Sequence, residues 1–176
     1  MKILTMKFGG TSVADVDRIR AVRDIISREV KNGWNVVAVV SAMSKETNKL
    51  IDLAKQIGLD RPVDPEYDSL ISTGEDVSSS LLAIALNSTG ISSRSWRGWQ
   101  LPVKTDSFHS NAKIEQIETE KIIQNFLEGT KVAVVSGFQG IEKDGRITTL
   151  GRGGSDTSAV AIAAAINAER CDIYTD

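Results

Sequence analysis

Apolar residues recur in two rhythms along this chain. Short, nearly continuous runs rich in Val and Ile occupy Ile3–Phe8, Asn35–Val40, residues 132–137 and residues 172–175. Runs of that length with polar or glycine-bearing flanks predict strands covered on both faces. Between them the spacing lengthens. Val16, Ile19, Val22, Ile25, Ile26 and Val30 recur close to the helical period and predict a helix over residues 14–31. Helices are likewise expected over 47–57, 67–87, 113–127 and 157–168. Shorter β-segments are expected at 92–95 and at 142–149, where Lys143-Asp144-Gly145 carries a hairpin signal. Strands alternating with helices predict βαβ units around a mainly parallel sheet. Pro62 and Pro65 mark a loop at 61–65, and there is no internal repeat or low-complexity tract. The last apolar strand runs directly into the end of the chain. Ligand loops usually begin at that edge of such a sheet, so the chain reads as part of a longer domain.

Chemistry gathers where predicted strands end. Gly151-Arg152-Gly153-Gly154-Ser155-Asp156-Thr157-Ser158 lies between a β-segment and a helix of small apolar residues. Its glycines let the backbone turn tightly and approach a ligand. Ser155 or Asp156 is expected to cap the following helix, whose N-terminus favours an anion. Arg152 offers a planar fork for a carboxylate or phosphate, and Asp156 a fixed negative charge beside it. After the first strand comes Gly9-Gly10-Thr11-Ser12, with Lys7 on the strand in reach of a β- or γ-phosphate. It is neither a Walker A loop nor the dinucleotide G-x-G-x-x-G. Ser41-Ala42-Met43-Ser44-Lys45-Glu46-Thr47 follows the second strand, and Thr47 suits either a helix cap or a ligand contact. Ser72-Thr73-Gly74-Glu75 interrupts a helical stretch, because glycine is unfavourable inside a helix. Ser72 or Thr73 would cap a helix starting there. Glu75 would complement its dipole or receive a substrate ammonium. Trp96-Arg97-Gly98-Trp99-Gln100 reads as an aromatic surface patch serving packing or a dimer contact.

Composition narrows the function. The 176 residues suit one domain or a large part of one. A net charge of −2, with no basic block, argues against electrostatic nucleic-acid binding. No apolar run reaches membrane-spanning length and no signal peptide is evident, so a cytoplasmic protein is expected. Cys171 and His109 are the sole cysteine and histidine, which speaks against a zinc centre or a Ser-His-Asp triad. Cys171 is expected to be a buried small hydrophobe.

Taken together these segments resemble the catalytic domain of the aspartate kinases, in the amino-acid kinase family. The resemblance is carried by Lys7-Phe8-Gly9-Gly10-Thr11-Ser12, Ser41-Ala42-Met43 with Thr47, Ser72-Thr73-Gly74-Glu75 and Gly98-Trp99-Gln100. It continues through Gly137-Phe138-Gln139-Gly140, Thr149 to Thr157, and Ile173-Tyr174-Thr175-Asp176. These stretches appear in family order along the whole chain.

The resemblance implies a three-layer α/β/α sandwich with a mainly parallel sheet. Residues 1–176 would form the N-terminal, acceptor-side part of the catalytic domain, truncated at its C-terminal end. The rest of the nucleotide lobe and the paired ACT regulatory domains would lie beyond it. The implied reaction is ATP-dependent phosphorylation of the side-chain carboxylate of L-aspartate, a step toward lysine, threonine and methionine. Lys7 and Asp156 would be catalytic, Asp156 orienting Lys7. Thr47, Glu75, Arg152, Gly153, Gly154 and Ser155 would hold the substrate. Lys7, Phe8, Gly9, Gly10, Ser41, Thr175 and Asp176 would serve ATP, and Mg2+ would sit mainly on the nucleotide phosphates without a dedicated protein metal site. The full-length enzyme would be a homo-oligomer. The fragment is expected to bind aspartate yet to be inactive by itself. Two alternatives stand beside this: a kinase for a related acceptor such as N-acetylglutamate, and a non-catalytic amino-acid-binding or association module.

Overall fold

The fold is described from a computed structural model covering residues 1–59 and 64–174. Five strands form one all-parallel sheet: β1 (Ile3–Phe8), β2 (Asn35–Val40), β3 (Ser93–Trp96), β6 (Val132–Ser136) and β9 (Arg170–Tyr174), in the order β3-β6-β2-β1-β9. The remaining strands, β4 (Val103–Thr105), β5 (Ile114–Ile117), β7 (Gln139–Ile141) and β8 (Ile147–Thr149), make a smaller mixed sheet ordered β5-β4-β7-β8. The helices are α1 (Val16–Lys31), α2 (Glu46–Ile57), α3 (Pro65–Ile71), α4 (Thr73–Asn87), α5 (Glu120–Leu127) and α6 (Gly154–Ala165).

Alternation along the central strands explains the layers. Leu4, Met6, Phe8, Val36, Ala38 and Val40 pack with Val22 and Ile26 of α1 and Leu82 and Leu86 of α4. The intervening Ile3, Val37 and Val39 face Ile122 and Phe126 of α5 and Ala159 and Ile162 of α6. Successive side chains of a strand point to opposite faces, so a strand covered on both sides must be apolar throughout. The expected mainly parallel sheet between helical layers is therefore the observed one. β1 lies between β2 and β9, so the chain leaves β1 to one side and later returns to the other. The crevice beyond the carboxyl ends of such neighbouring strands is where open α/β sheets take ligands.

The helical stretch expected over 67–87 breaks at the expected interruption into two helices meeting at Ser72, whose carbonyl accepts from the Gln139 amide at 3.1 Å. Several other local expectations are corrected. The helix expected over 113–127 begins only at Glu120; Ile114–Ile117 is a strand. Val103 faces Ile117 and Thr105 faces Ile114, so the register shifts at this antiparallel pair. Such an irregularity lets two residues three apart both pack against the core, and that spacing mimics a helix. β4 carried no sequence signal of its own. The hairpin is present, but its strands are Gln139–Ile141 and Ile147–Thr149, with Gly145 at φ 80 in the turn. The helix expected from residue 157 already begins at Gly154, and α1 begins at Val16, which is 53% exposed despite its place in the apolar rhythm. Trp96 is buried rather than part of a surface patch, whereas Trp99 is half exposed. Cys171, expected to be buried, is exposed on β9, the edge strand of the central sheet among the described residues, although its sulfur lies 4.0 Å from the Ala159 carbonyl of α6. Residues 61–63 of the expected proline loop fall outside the described residues. No helix among the described residues is long and apolar enough to cross a membrane.

Candidate active site

The carboxyl ends of β1 and β2, the starts of α2 and α6, and the α3–α4 corner enclose a cleft of about 1000 Å³. Of the residues predicted from sequence, Lys7, Gly9, Gly10, Ser41, Thr47, Glu75, Arg152, Gly153, Gly154, Ser155 and Asp156 line it. Phe8 does not. Its side chain is fully buried and stacks on Tyr174 with ring centroids 4.7 Å apart, and Tyr174 reaches the cleft instead. Thr175 and Asp176 lie outside the described residues.

One side of the cleft is built from strand ends. Lys7 points to the α6 face of the sheet, and its ammonium lies 2.7 Å from Asp156 Oδ1 in the first turn of α6. Two motifs far apart in sequence thus meet in one ion pair, with the lysine mostly buried and the aspartate half exposed. The Gly9-Gly10 turn follows. A Cβ on Gly10 would stand 2.9 Å from the Ala42 carbonyl, so the turn presses against the second loop too closely for a side chain. Helix α1 does not follow this turn directly. Helix α1 starts at Val16, and Asp15 caps it by accepting from the Arg18 N–H at 2.8 Å. The start of α6 also faces the cleft. Neither Ser155 nor Asp156 caps it; Gly153 does so in a left-handed conformation, φ 73, without a side-chain bond. The Gly154 and Asp156 N–H groups donate to the Gly151 and Gly153 carbonyls at 3.1 and 3.0 Å, so the helix start turns mainly its dipole toward the cleft.

The other side is built from long-range contacts. Glu75 sits in the first turn of α4 and is 3% exposed. Oε1 accepts from the Ala42 N–H at 3.0 Å, while Oε2 is buried without a partner. Burial is the main reason its pKa rises to about 8; Asp76 adds to the rise and the Ala42 bond opposes it. Gly74 makes this approach possible, because a Cβ there would lie 2.8 Å from the Ala42 Cβ. The Ser78 hydroxyl donates to the Ser41 carbonyl at 2.7 Å and completes the junction. Ser72 holds the N-cap position of α4, as expected, but without a side-chain cap bond; the Ser72 and Thr73 hydroxyls donate back to the Ser69 and Leu70 carbonyls. Thr47 does not cap α2 either. That position is Lys45, left-handed at φ 67, which leaves Thr47 in the first turn facing the cleft. Arg152 is exposed between Gly151 and Gly153, both at positive φ, and has no ion-pair partner among the described residues.

Sequence reasoning missed Asp68, Tyr67, Ile71, Ser110 and Thr149. All but Asp68 line the cleft, and Asp68 anchors the segments that carry Ser110 and Thr149. Asp68 lies inside a helical pattern where a charged residue normally means a solvated face, and no local signal marks it. Among the described residues no cluster of three or more His, Cys, Asp or Glu side chains is placed to hold a metal ion.

The sequence matches the amino acid kinase family over residues 2–176. The chain belongs to that family. Within it, the chain is 56% identical to an aspartokinase of Bacillus sp. (strain MGA3) and 51% identical to an aspartate kinase of Pseudomonas putida, in both cases over all 176 residues of this chain. It spans about 42% of the length of these curated relatives. Among solved structures, the aspartate kinase of Synechocystis superposes with a TM-score of 0.81 at 46% identity, over 98% of this chain and 28% of that one. E. coli aspartokinase III, solved in complex with aspartate and ADP, gives 0.85 at 26% identity, over 99% and 49%. The amino acid kinase fold thus carries its cleft at the strand ends, with one wall set by the β1 and α6 motifs and the other by α3, α4 and the β8 loop.

Proposed function

We propose that this chain forms the acceptor-side part of an aspartate kinase catalytic domain, and that the complete protein transfers the γ-phosphoryl group of ATP to the side-chain carboxylate of L-aspartate. The observation that carries this reading is Glu75: a buried carboxylate with one unpartnered oxygen, in the same cleft as the Arg152 guanidinium, which has no ion-pair partner among the described residues. An α-amino acid presents one cation and one carboxylate that such a pair can hold. An acylated amine would bring no charge to Glu75, so an N-acetylated acceptor fits less well. The relatives' names and the aspartate and ADP of the E. coli structure support the same acceptor and a nucleotide donor.

Acceptor carboxylate and phosphoryl group are both anionic, and the attacking oxygen needs no base. Catalysis then rests on positioning and on neutralising charge as it develops. Lys7, held by Asp156, supplies positive charge at the end of β1. The loop amides of Gly9 and Gly10 offer N–H donors to phosphate oxygens, and the N-terminal dipole of α6 adds positive potential beside them. Thr47, Ser155 and Ser41 add hydroxyls around the acceptor and the transferred group. Magnesium, carried on the nucleotide phosphates, supplies further charge neutralisation when bound. A cytoplasmic biosynthetic role and self-association of the complete enzyme belong to the same reading.

Calorimetric titration with L-aspartate, N-acetylglutamate and an Arg152→Ala variant tests it. Aspartate should bind and N-acetylglutamate should not. Arg152→Ala should weaken aspartate about tenfold to a hundredfold, the worth of a lost charge-assisted contact. A folded chain that prefers N-acetylglutamate would overturn the acceptor assignment.

A further inference from the structure

The carboxylate of Asp68, fully buried on α3, lies behind the acceptor wall of the cleft and touches no part of the cavity itself. It gathers donors from two other segments. Thr149 gives its N–H to Oδ2 at 2.9 Å and its hydroxyl to Oδ1 at 2.8 Å. Ser110 gives its N–H to Oδ2 at 2.9 Å and its hydroxyl to Oδ1 at 3.1 Å. His109 Nδ1 lies 3.1 Å from Oδ2. The two anchored segments are also tied to each other, since the Ala112 N–H donates to the Thr149 carbonyl at 2.9 Å. A Cβ on Gly151 would stand 3.0 Å from Asn111 Oδ1, so the start of the Arg152 loop rests directly on the 110–111 segment.

We infer that Asp68 is a positioning residue for acceptor recognition: it fixes the Arg152 loop against the α3–α4 corner that carries Glu75. The inference rests on the proposed reading of Arg152 and Glu75 as the acceptor's two charge partners. Asp68 stands seven residues before Glu75 in the chain and bonds directly to Thr149, three residues before Arg152. Both partners must keep one separation to hold one amino acid, and neither loop alone can set it. A carboxylate suits the task because it accepts only, and every group around it donates. An amide at this place would turn its NH2 toward donors and leave some of them buried without partners.

The experiment compares the full chain with Asp68→Asn, Thr149→Val and Thr149→Ser by calorimetry with L-aspartate and separately with ADP and magnesium, alongside amide exchange. Asp68→Asn should weaken aspartate about tenfold or more while nucleotide affinity stays within about twofold, as expected for a loss confined to one ligand's site. Thr149→Val should follow in the same direction, and Thr149→Ser, which keeps the hydroxyl and the N–H, should restore binding. Exchange should quicken at residues 108–112 and 149–152 and stay unchanged in the central sheet. Equal weakening of both ligands, or faster exchange throughout, would reduce Asp68 to a general stabilising residue and overturn the inference. If the unaltered chain fails to bind aspartate, the functional reading fails. The exchange pattern then decides separately whether Asp68 holds the loop: an unchanged 149–152 segment sinks the positioning claim too.

Discussion

The two walls of the cleft are made by different means. On the proposed function one wall faces the phosphates and the other the acceptor, and the phosphate-facing wall uses short motifs at rigid strand and helix ends: Lys7 on β1, the Gly9-Gly10 turn, and Asp156 at the start of α6. Each motif is complete within a few residues, and one ion pair of 2.7 Å joins them. The acceptor-facing wall has no such units. It brings together the 41–47 loop, the α3–α4 corner, the 108–112 segment and the β8 loop, held by two buried carboxylates, Asp68 and Glu75. The contrast follows from the two tasks. Steadying a phosphoryl group needs a few dipoles and one cation in fixed places, which backbone at an element's end supplies. Selecting one amino acid needs opposite charges at a set separation, which only long-range contacts can fix.

The sharpest way to break that division is Lys7→Met. If the phosphate wall serves the transition state, turnover of the complete enzyme should fall about 10²–10³-fold, the cost of removing one aimed charge-stabilising group. The KM for aspartate should barely move, because the acceptor wall is intact. A variant whose aspartate KM rises as steeply as its turnover falls would show that Lys7 also binds the acceptor, and the two walls would not be separable.

A smaller effect sharpens the comparison from the other wall. Glu75 has its pKa raised from 4.5 to about 8, chiefly by burial. Near neutral pH, with no ligand, it is therefore mostly protonated, and an ammonium needs the ionised form. At pH 7 about a tenth of the sites are ionised, so aspartate affinity should rise about tenfold as pH passes through 8. Binding at pH 7 should release a proton, read from calorimetry in buffers of different ionisation heat. Stability should move the other way. The folded state holds a proton that the unfolded chain has lost between 4.5 and about 8, so Glu75's contribution is full below that window and declines as pH rises through it. Glu75→Gln should abolish both slopes. Nucleotide affinity, set at the other wall, should show neither.

The same contrast governs what could be read from the chain. The parallel sheet was legible because its strands are buried on both faces and therefore apolar without interruption, as at Val36 to Val40. The phosphate wall was legible because glycines and a lysine beside a strand end are a local pattern. Asp68 was invisible, since its partners Ser110 and Thr149 lie 42 and 81 residues away. The caps were misread for a related reason. Ser155, Asp156 and Thr47 are good capping residues by type, but positive-φ backbone at Gly153 and Lys45 turns the chain without them, and Ser72 holds its cap position without a side-chain bond. The strand Ile114–Ile117 was mistaken for helix because a register shift against β4 gave it a three-residue apolar spacing.

Thr47 offers the smallest and most discriminating of these tests, because its sequence context allows both a structural and a ligand-binding role. A capping threonine contributes roughly 1 kcal/mol to stability, and its loss lowers the melting temperature. In the structure the cap position belongs to Lys45, and the Thr47 hydroxyl faces the cleft from the first turn of α2. Thr47→Ala should therefore leave thermal unfolding unchanged. It should weaken aspartate by about threefold to tenfold, the worth of one hydrogen bond of ordinary strength. A lowered melting temperature with unaltered affinity would return Thr47 to a structural role. The acceptor wall would then rest on Arg152, Glu75 and the loop that Asp68 holds in place.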